Sequence, residues 1–260
     1  MNSKYMQHQI NSELTAFIDF LIENNLTSKN KFNKKLLFEN FNYYLNNSFN
    51  SISFKNKNVL DVGGGNGIYS FFAKICGANY VVCLEPSLDG SENDNYNYFE
   101  KIKKKFDFKN IFFENTTIQN FKTDKLFDLV ILKDSINHLD EESCINLKLG
   151  DIYKKKYIKI LKIIYNLMTK HSTIYISDCS SRNFFSDLGI SNPFVREIEW
   201  FKHQEPEEWI KLIKMSNFKF NSLNWSSLNS LKFIDPFNNT KMISYFTSSN
   251  FRIIADKNEK

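Results

Sequence analysis

Val59-Leu60-Asp61-Val62 runs directly into Gly63-Gly64-Gly65-Asn66-Gly67, a short apolar strand opening onto a glycine loop. Four of the chain's eight glycines fall within these five positions, 63–67. Glycine removes the Cβ, so the backbone can approach a ligand closely, and the loop leaves N–H groups available at the start of the next helix. The spacing is G-x-G-x-G, not the G-x-G-x-x-G that receives a pyrophosphate in dinucleotide sites. Asp61 stands immediately before the loop. A carboxylate there repels phosphate but organises an ammonium group, directly or through water. A glycine pattern alone is equally consistent with an ordinary tight turn, so its neighbours decide its meaning.

Those neighbours alternate strands with helices. Residues 79–84, 110–114, 127–132 and 173–178 read as strands, and 218–225 and 243–255 as two more. Between them, 68–76, 93–106, 141–169 and 205–215 carry helical spacing, with Pro206 in the first turn of the last. Ahead of the glycine loop, 11–26 and 34–49 predict two helices. The first buries Leu14, Phe17, Ile18, Leu21 and Ile22 and has Asn11 or Ser12 as N-cap. The second turns Leu36, Leu37, Phe41, Tyr44 and Leu45 inward. This alternation predicts an α/β fold, a doubly wound and mainly parallel sheet whose ligands bind beyond the carboxyl ends of the strands. The expected division is an N-terminal helical cap over 1–54 and a main domain over 55–260, with a lid insertion at about 180–204.

Glu85 ends the second strand, 18 residues after Gly67, where a carboxylate can bind both ribose hydroxyls. Loop, Asp61 and Glu85 together describe a nucleoside ligand with a positive or zwitterionic tail. Over about 55–180 the chain resembles the class I S-adenosylmethionine-dependent methyltransferases. The likeness rests on VLDVGGGNG at 59–67, on Cys83-Leu84-Glu85-Pro86-Ser87, and on Phe127-Asp128-Leu129-Val130-Ile131-Leu132. It implies a seven-stranded Rossmann-like sheet, S-adenosylmethionine as cofactor and S-adenosylhomocysteine as product. It also implies cofactor contacts from Asp61, Gly63, Gly65, Gly67, Glu85, Pro86, Thr117, Ile118 and Lys133. Many members place an Asp near the adenine, whereas this chain reads Asn115-Thr116-Thr117. An NAD-dependent dehydrogenase is the rival reading, disfavoured by the loop spacing and by the 127–132 strand.

The acceptor should lie after the fourth strand, at Lys133-Asp134-Ser135-Ile136-Asn137-His138. The [DNS]-P-P-[YFW] clamp for exocyclic base amines is missing there, as is a Pro-Cys nucleophile for pyrimidine carbon. His138 is a candidate proton acceptor for a hydroxyl, with helix capping as its plain alternative. Asp178, Arg182, Asn183, Glu199 and His203 follow the fifth strand. His138, His203 and Asp178 are the catalytic candidates. Asp134, Asn137, Arg182, Asn183 and Glu199 are the acceptor-binding ones, with Arg182 offering a planar fork for phosphate. A divalent ion held by His138, Asp178, Glu199 and His203 is weighed and not favoured. The 178–204 segment resembles, more loosely, a bacterial subgroup of sugar O-methyltransferases. It implies an acceptor such as a nucleotide-linked sugar of surface or capsular polysaccharide. RNA methylation, natural-product methylation and a non-catalytic cofactor-binding role are the alternatives.

Composition limits the rest. The chain has 260 residues, 34 basic and 29 acidic side chains, a net charge of +5, 42% hydrophobic residues and 26 Phe, which excludes a disordered chain. The lysine runs at 101–105 and 154–156 fall on helical stretches and read as solvated faces, not as a nucleic-acid stripe. Cys76, Cys83, Cys144 and Cys179 show no C-x-x-C pairing. With no apolar leader behind the first residues and no membrane-length apolar run, the expectation is a cytoplasmic protein without nucleic-acid or membrane partners.

Overall fold

The computed structural model describes residues 12–26, 34–86, 94–228 and 239–258. Seven strands form one sheet in the order β3-β2-β1-β4-β5-β7-β6. They are β1 (Asn58–Val62), β2 (Tyr80–Leu84), β3 (Ile111–Glu114), β4 (Phe127–Lys133), β5 (Met168–Cys179), β6 (Phe218–Ser226) and β7 (Asn250–Lys257). Strands β1 to β5 pair in parallel, while β7 runs antiparallel to both β5 and β6. The chain runs from β1 to the β3 edge and then returns to place β4 beside β1. The topological switch point, and with it the expected ligand crevice, lies between those two strands.

Side-chain alternation along β1 assigns the two layers. Leu60 and Val62 face α6 (Asp151–Asn166) and α8 (Pro206–Met215), joining Tyr157, Leu161, Ile164, Trp209 and Ile213 in one buried core. Val59 faces the other way, into a core shared with α1 (Ser12–Glu23), α2 (Lys34–Ser48), α3 (Ile68–Ile75) and α4 (Asp94–Phe106). Asp61 shares Val59's parity, so a carboxylate is driven into that second layer. Phenylalanine fills much of it: Phe71 lies 4.8 Å from Phe99, and Phe49 lies 5.6 Å from Phe72 and 5.0 Å from Tyr175, centroid to centroid. Each buried ring stabilises the fold by roughly 1.5–3 kcal/mol relative to exposure.

Three local expectations are corrected. The helix expected over 141–169 is two helices, α5 (Glu141–Ile145) and α6. Asn146 caps the first and Gly150, in extended backbone, opens the second, which lets Leu147 enter the core. The strand expected over 243–255 begins at Asn250, because Thr240 accepts the Ile243 N–H and starts α9 (Lys241–Tyr245) instead. Leu36 of α2 is 50% exposed rather than inward. Ser12 is the first residue of α1, and Asn11 lies outside the described residues.

The 180–204 segment contains α7 (Phe184–Asp187) and a short 3-10 turn, Trp200–Lys202. It is tied down rather than loose. The Asn183 amide donates to the Tyr245 and Thr247 carbonyls and to Ser249 Oγ, and Asn192 Nδ2 donates to Asn183 Oδ1 and to the Thr247 carbonyl. The N-terminal helices are fastened as well. Tyr175 Oη donates to the Ser48 carbonyl at 2.8 Å, and the Arg252 guanidinium donates to the Asn47 and Ser48 carbonyls. Among the described residues, no helix is long and apolar enough to cross a membrane.

Candidate functional site

The glycine loop is shaped from below. Gly63, Gly65 and Gly67 all take positive φ, at 70°, 55° and 81°. A Cβ on Gly63 would lie 2.5 Å from Ser135 Cβ, and one on Gly67 2.5 Å from the Phe99 ring. Gly65 differs: a Cβ there would meet nothing within 4 Å, so its backbone faces open space. Gly63 and Gly64 both donate to the Leu84 carbonyl, at 2.8 and 3.1 Å, which ties the loop to the end of β2. Ser135 Oγ donates to the Val62 carbonyl at 2.6 Å and ties it to the end of β4.

Two carboxylates flank the loop. Glu85 Oε2 accepts the Gly65 N–H at 2.9 Å, and Oε1 accepts from Asn95 at 3.5 Å. Partial burial raises the Glu85 pKa, with the Gly65 hydrogen bond opposing it. Asp61 is 1% exposed and accepts from Ser70 Oγ at 2.7 Å through Oδ2, while its Oδ1 is buried without a partner. Burial pushes its pKa up to about 7, opposed by Ser70 and helped by the Glu85 charge. The loop therefore carries a close-approach backbone and a buried carboxylate whose charge lacks a counterion. Thr117 accepts from the Asn120 and Phe121 N–H groups through its carbonyl, and Ile118 is buried in the core beneath β1 and β4. Pro86 is half-buried beside Glu85.

Lys133 ends β4 and is buried, with Nζ 2.5 Å from Asp134 Oδ2 and over the rings of Tyr44 and Tyr69 at 5.6 and 5.9 Å. Burial would depress its pKa, but Asp134 and the surrounding tyrosines outweigh it and hold the ammonium well above its ordinary value. Tyr44 and Tyr69 share a 2.7 Å hydrogen bond. Asp134 has φ 55° and its N–H donates to the Ser177 carbonyl, locking the ends of β4 and β5 together.

The two histidines differ. His138 is exposed, with Nδ1 3.2 Å from Glu141 Oε2 and Nε2 3.3 Å from Asn137 Nδ2, so both nitrogens are engaged. Asn137 is buried and its Oδ1 has no partner. His203 is largely buried, and its Nδ1 lies 3.0 Å from Asp178 Oδ1. Asp178 is 1% exposed and also accepts the Cys179 N–H at 2.8 Å, while Oδ2 is buried unpartnered. Cys179 Sγ lies 3.5 and 3.6 Å from the two nitrogens of His203.

The remaining predicted residues have local partners. Arg182 forms a bidentate pair with Asp187, which Tyr245 Oη joins. Asn183 spends its amide on the anchoring bonds described above and caps α7 through Phe185 N–H. Glu199 pairs with Lys202, which also reaches Glu141. The quartet His138, Asp178, Glu199 and His203 is thus split. Among the described residues, Asp178, Cys179 and His203 are the group with ligand atoms close enough for an ion. Sequence reading gave no role to Ser70, Tyr44, Tyr69 and Cys179, and named Ser135 only as part of the acceptor segment. Of these, Ser70 alone carried a local signal, a polar residue in the first turn of α3.

Residues 53–216 match the family model described as "Methyltransferase domain". The chain belongs to this family. This methyltransferase uses S-adenosylmethionine as its methyl donor. No curated protein matches it. Its fold is similar to that of an S-adenosylmethionine-dependent methyltransferase from Mesorhizobium loti, at 10% identity and a TM-score of 0.57, covering 84% of this chain and 97% of that one. It is also similar to the [4+2]-cyclase SpnF, at 9% identity and a TM-score of 0.57, covering 95% and 96%. A third likeness is to an O-methyltransferase family 2 protein from Planctomyces limnophilus in complex with apigenin, at 12% identity and a TM-score of 0.50, covering 78% and 51%. A methyltransferase fold therefore also serves a cyclase, so the side chains of the site, not the fold, decide the reaction.

Proposed function

We propose that this methyltransferase transfers a methyl group to a hydroxyl of a small acceptor, with His203 as the proton acceptor and Asp178 as the group that orients it. The observation that carries this reading is the 3.0 Å contact of His203 Nδ1 with buried Asp178. A proton on Nδ1 directed at the carboxylate leaves Nε2 as the basic nitrogen. The same contact stabilises the imidazolium that forms when the hydroxyl gives up its proton. His138 has both nitrogens engaged and serves in this reading to shape the crevice beside Glu85.

When bound, the cofactor supplies an electrophilic methyl on a sulfonium. The loop suits its binding: Gly65 faces open space, Glu85 at the end of β2 would take the ribose hydroxyls, and Asp61 holds a buried charge that an ammonium would balance. Gly63 and Gly67 shape the turn. Pro86, Thr117 and Ile118 border the base, and Lys133 secures Asp134 at the crevice floor. Displacement at a methyl group needs alignment of acceptor and donor more than covalent catalysis. Asn137 and the inner face of the 180–204 insertion are the parts available for that alignment.

The acceptor we favour is a nucleotide-linked sugar. Its diphosphate would compete with Asp187 for the Arg182 fork, and Glu199 would hold a sugar hydroxyl. RNA is the weaker reading, because lysines of the two runs pair locally: Lys103 with Glu100, Lys154 with Asp151 and Lys156 with Glu142. The test is transfer of labelled methyl to a panel of nucleotide sugars, phenolic hydroxyl compounds, amines and RNA. A hydroxyl product lost in His203→Ala supports the proposal. Label found on an amine or on RNA, or full turnover in His203→Ala, defeats it.

A further inference from the structure

The Asp178, Cys179 and His203 side chains have a property that proton transfer does not require. Sulfur, imidazole nitrogen and carboxylate oxygen converge at the carboxyl end of β5, with ligand atoms all within 4.8 Å of one another. With His203 Nδ1 as the nitrogen donor, the separations are 3.0 Å to Asp178 Oδ1 and 3.5 Å to Cys179 Sγ, with 3.8 Å between Cys179 Sγ and Asp178 Oδ1. Around a tetrahedral zinc ion, bonds of about 2.3 Å to sulfur and about 2.0–2.1 Å to nitrogen or oxygen put ligand atoms roughly 3.3–3.6 Å apart. The observed triangle is within a few tenths of an ångström of that. Asp178 Oδ2 is also buried with no hydrogen-bond partner, an unmet polar atom on one of the three ligand side chains.

We propose that Asp178, Cys179 and His203 form a three-ligand site for a borderline-soft divalent cation of the zinc type, and that its occupancy removes His203 as a proton acceptor. The thiolate donor selects zinc-like ions over magnesium or calcium, which prefer all-oxygen shells. Three protein ligands leave a fourth position for water or an acceptor oxygen. Binding releases the Cys179 thiol proton to solvent as the Sγ–metal bond forms, so affinity rises with pH. Without an ion, burial and the Asp178 charge keep the thiol neutral, its pKa well above the ordinary value. The silencing half of the proposal rests on His203 being the base, while the metal site itself does not.

The experiment is a Co2+ titration of the cofactor-free protein, followed by absorption. The expected result is a sulfur-to-cobalt charge-transfer band that saturates at one equivalent, together with the visible bands of a tetrahedral ion. Cys179→Ser should abolish the charge-transfer band, and His203→Ala should weaken binding at least tenfold. Thermal melting and the S-adenosylmethionine-induced melting shift of each variant show that it is folded. No band with the wild type, or an unchanged band in folded Cys179→Ser, overturns the site. Zn2+ at the concentration that displaces Co2+ should suppress methyl transfer, with recovery on chelation. A charge-transfer band without suppression overturns the silencing, and its dependence on Cys179 still decides the site.

Discussion

Asp61 carries its charge against the grain of its surroundings, and replacing it with an uncharged amide of the same shape tests that directly. The residue is 1% exposed, and burial lifts its pKa from 3.8 to about 7. At about 1.4 kcal/mol per pH unit, that difference is worth about 4 kcal/mol between the protonated and ionised folded states. The folded pKa is the higher one, so the stability linked to protonation is fully present below the unfolded value of 3.8. It is lost as pH rises through about 7. The Asp61→Asn substitution would keep the shape and a hydrogen bond to Ser70, whose hydroxyl can turn to suit, but the amide does not titrate. The stability of wild type minus that of Asp61→Asn should therefore fall by about 2 kcal/mol between about pH 5.5 and 8, and flatten above that. Urea unfolding of both proteins at the two pH values, without cofactor, measures it. A difference constant with pH to within about 0.5 kcal/mol would show that Asp61 is well solvated or already paired, with no unbalanced charge at the loop. With cofactor present, an ammonium beside Asp61 should erase much of the pH dependence in the wild type.

Other outcomes follow from the same geometry. Glu85→Ala should abolish the melting shift produced by S-adenosylmethionine, since a charged hydrogen-bonding group is worth roughly 1.5–3 kcal/mol, or about 10- to 150-fold in affinity. An unchanged shift would remove Glu85 from the cofactor site. Gly67→Ala must accept both φ 81° and a Cβ 2.5 Å from Phe99. It should lose roughly 2–5 kcal/mol from backbone strain plus overpacking, read by denaturant titration. His203→Ala should lower kcat by about 10²- to 10⁴-fold while the cofactor melting shift stays intact.

The fold was legible in local sequence because its decisive signals are local. The short apolar runs at 58–62 and 127–132, the glycine run, and Glu85 at a strand end each sit within a few residues. The 141–169 stretch misled because its apolar spacing persists through Asn146 and Gly150, and those breakers matter only once Leu147 has a core to enter. At the candidate site, legibility falls with separation in the chain. Asp178 and His203 stand out singly, but their contact depends on how 180–204 folds back, and that is set by Asn183 and Asn192 binding carbonyls beyond residue 244. Arg182 reads as a free fork until Asp187, five residues on and across one turn of α7, is seen to fill it. Tyr44 carries no motif at all. It reaches Lys133 because α2 lies across the sheet.

That placement of α2 bears on how the protein can be taken apart. The family match begins at residue 53 and stops at 216, so it includes neither Tyr44 nor Arg252. Yet Tyr44 lies over the Lys133 ammonium from one side of the match, and Arg252, from the other, grips the carbonyls that end α2. The two flanks clasp each other across the matched portion. A fragment trimmed to the matched boundaries would keep every glycine of the loop but expose a buried lysine to water. Transplanting the 53–216 portion between relatives would therefore require moving both flanks with it, as one matched pair.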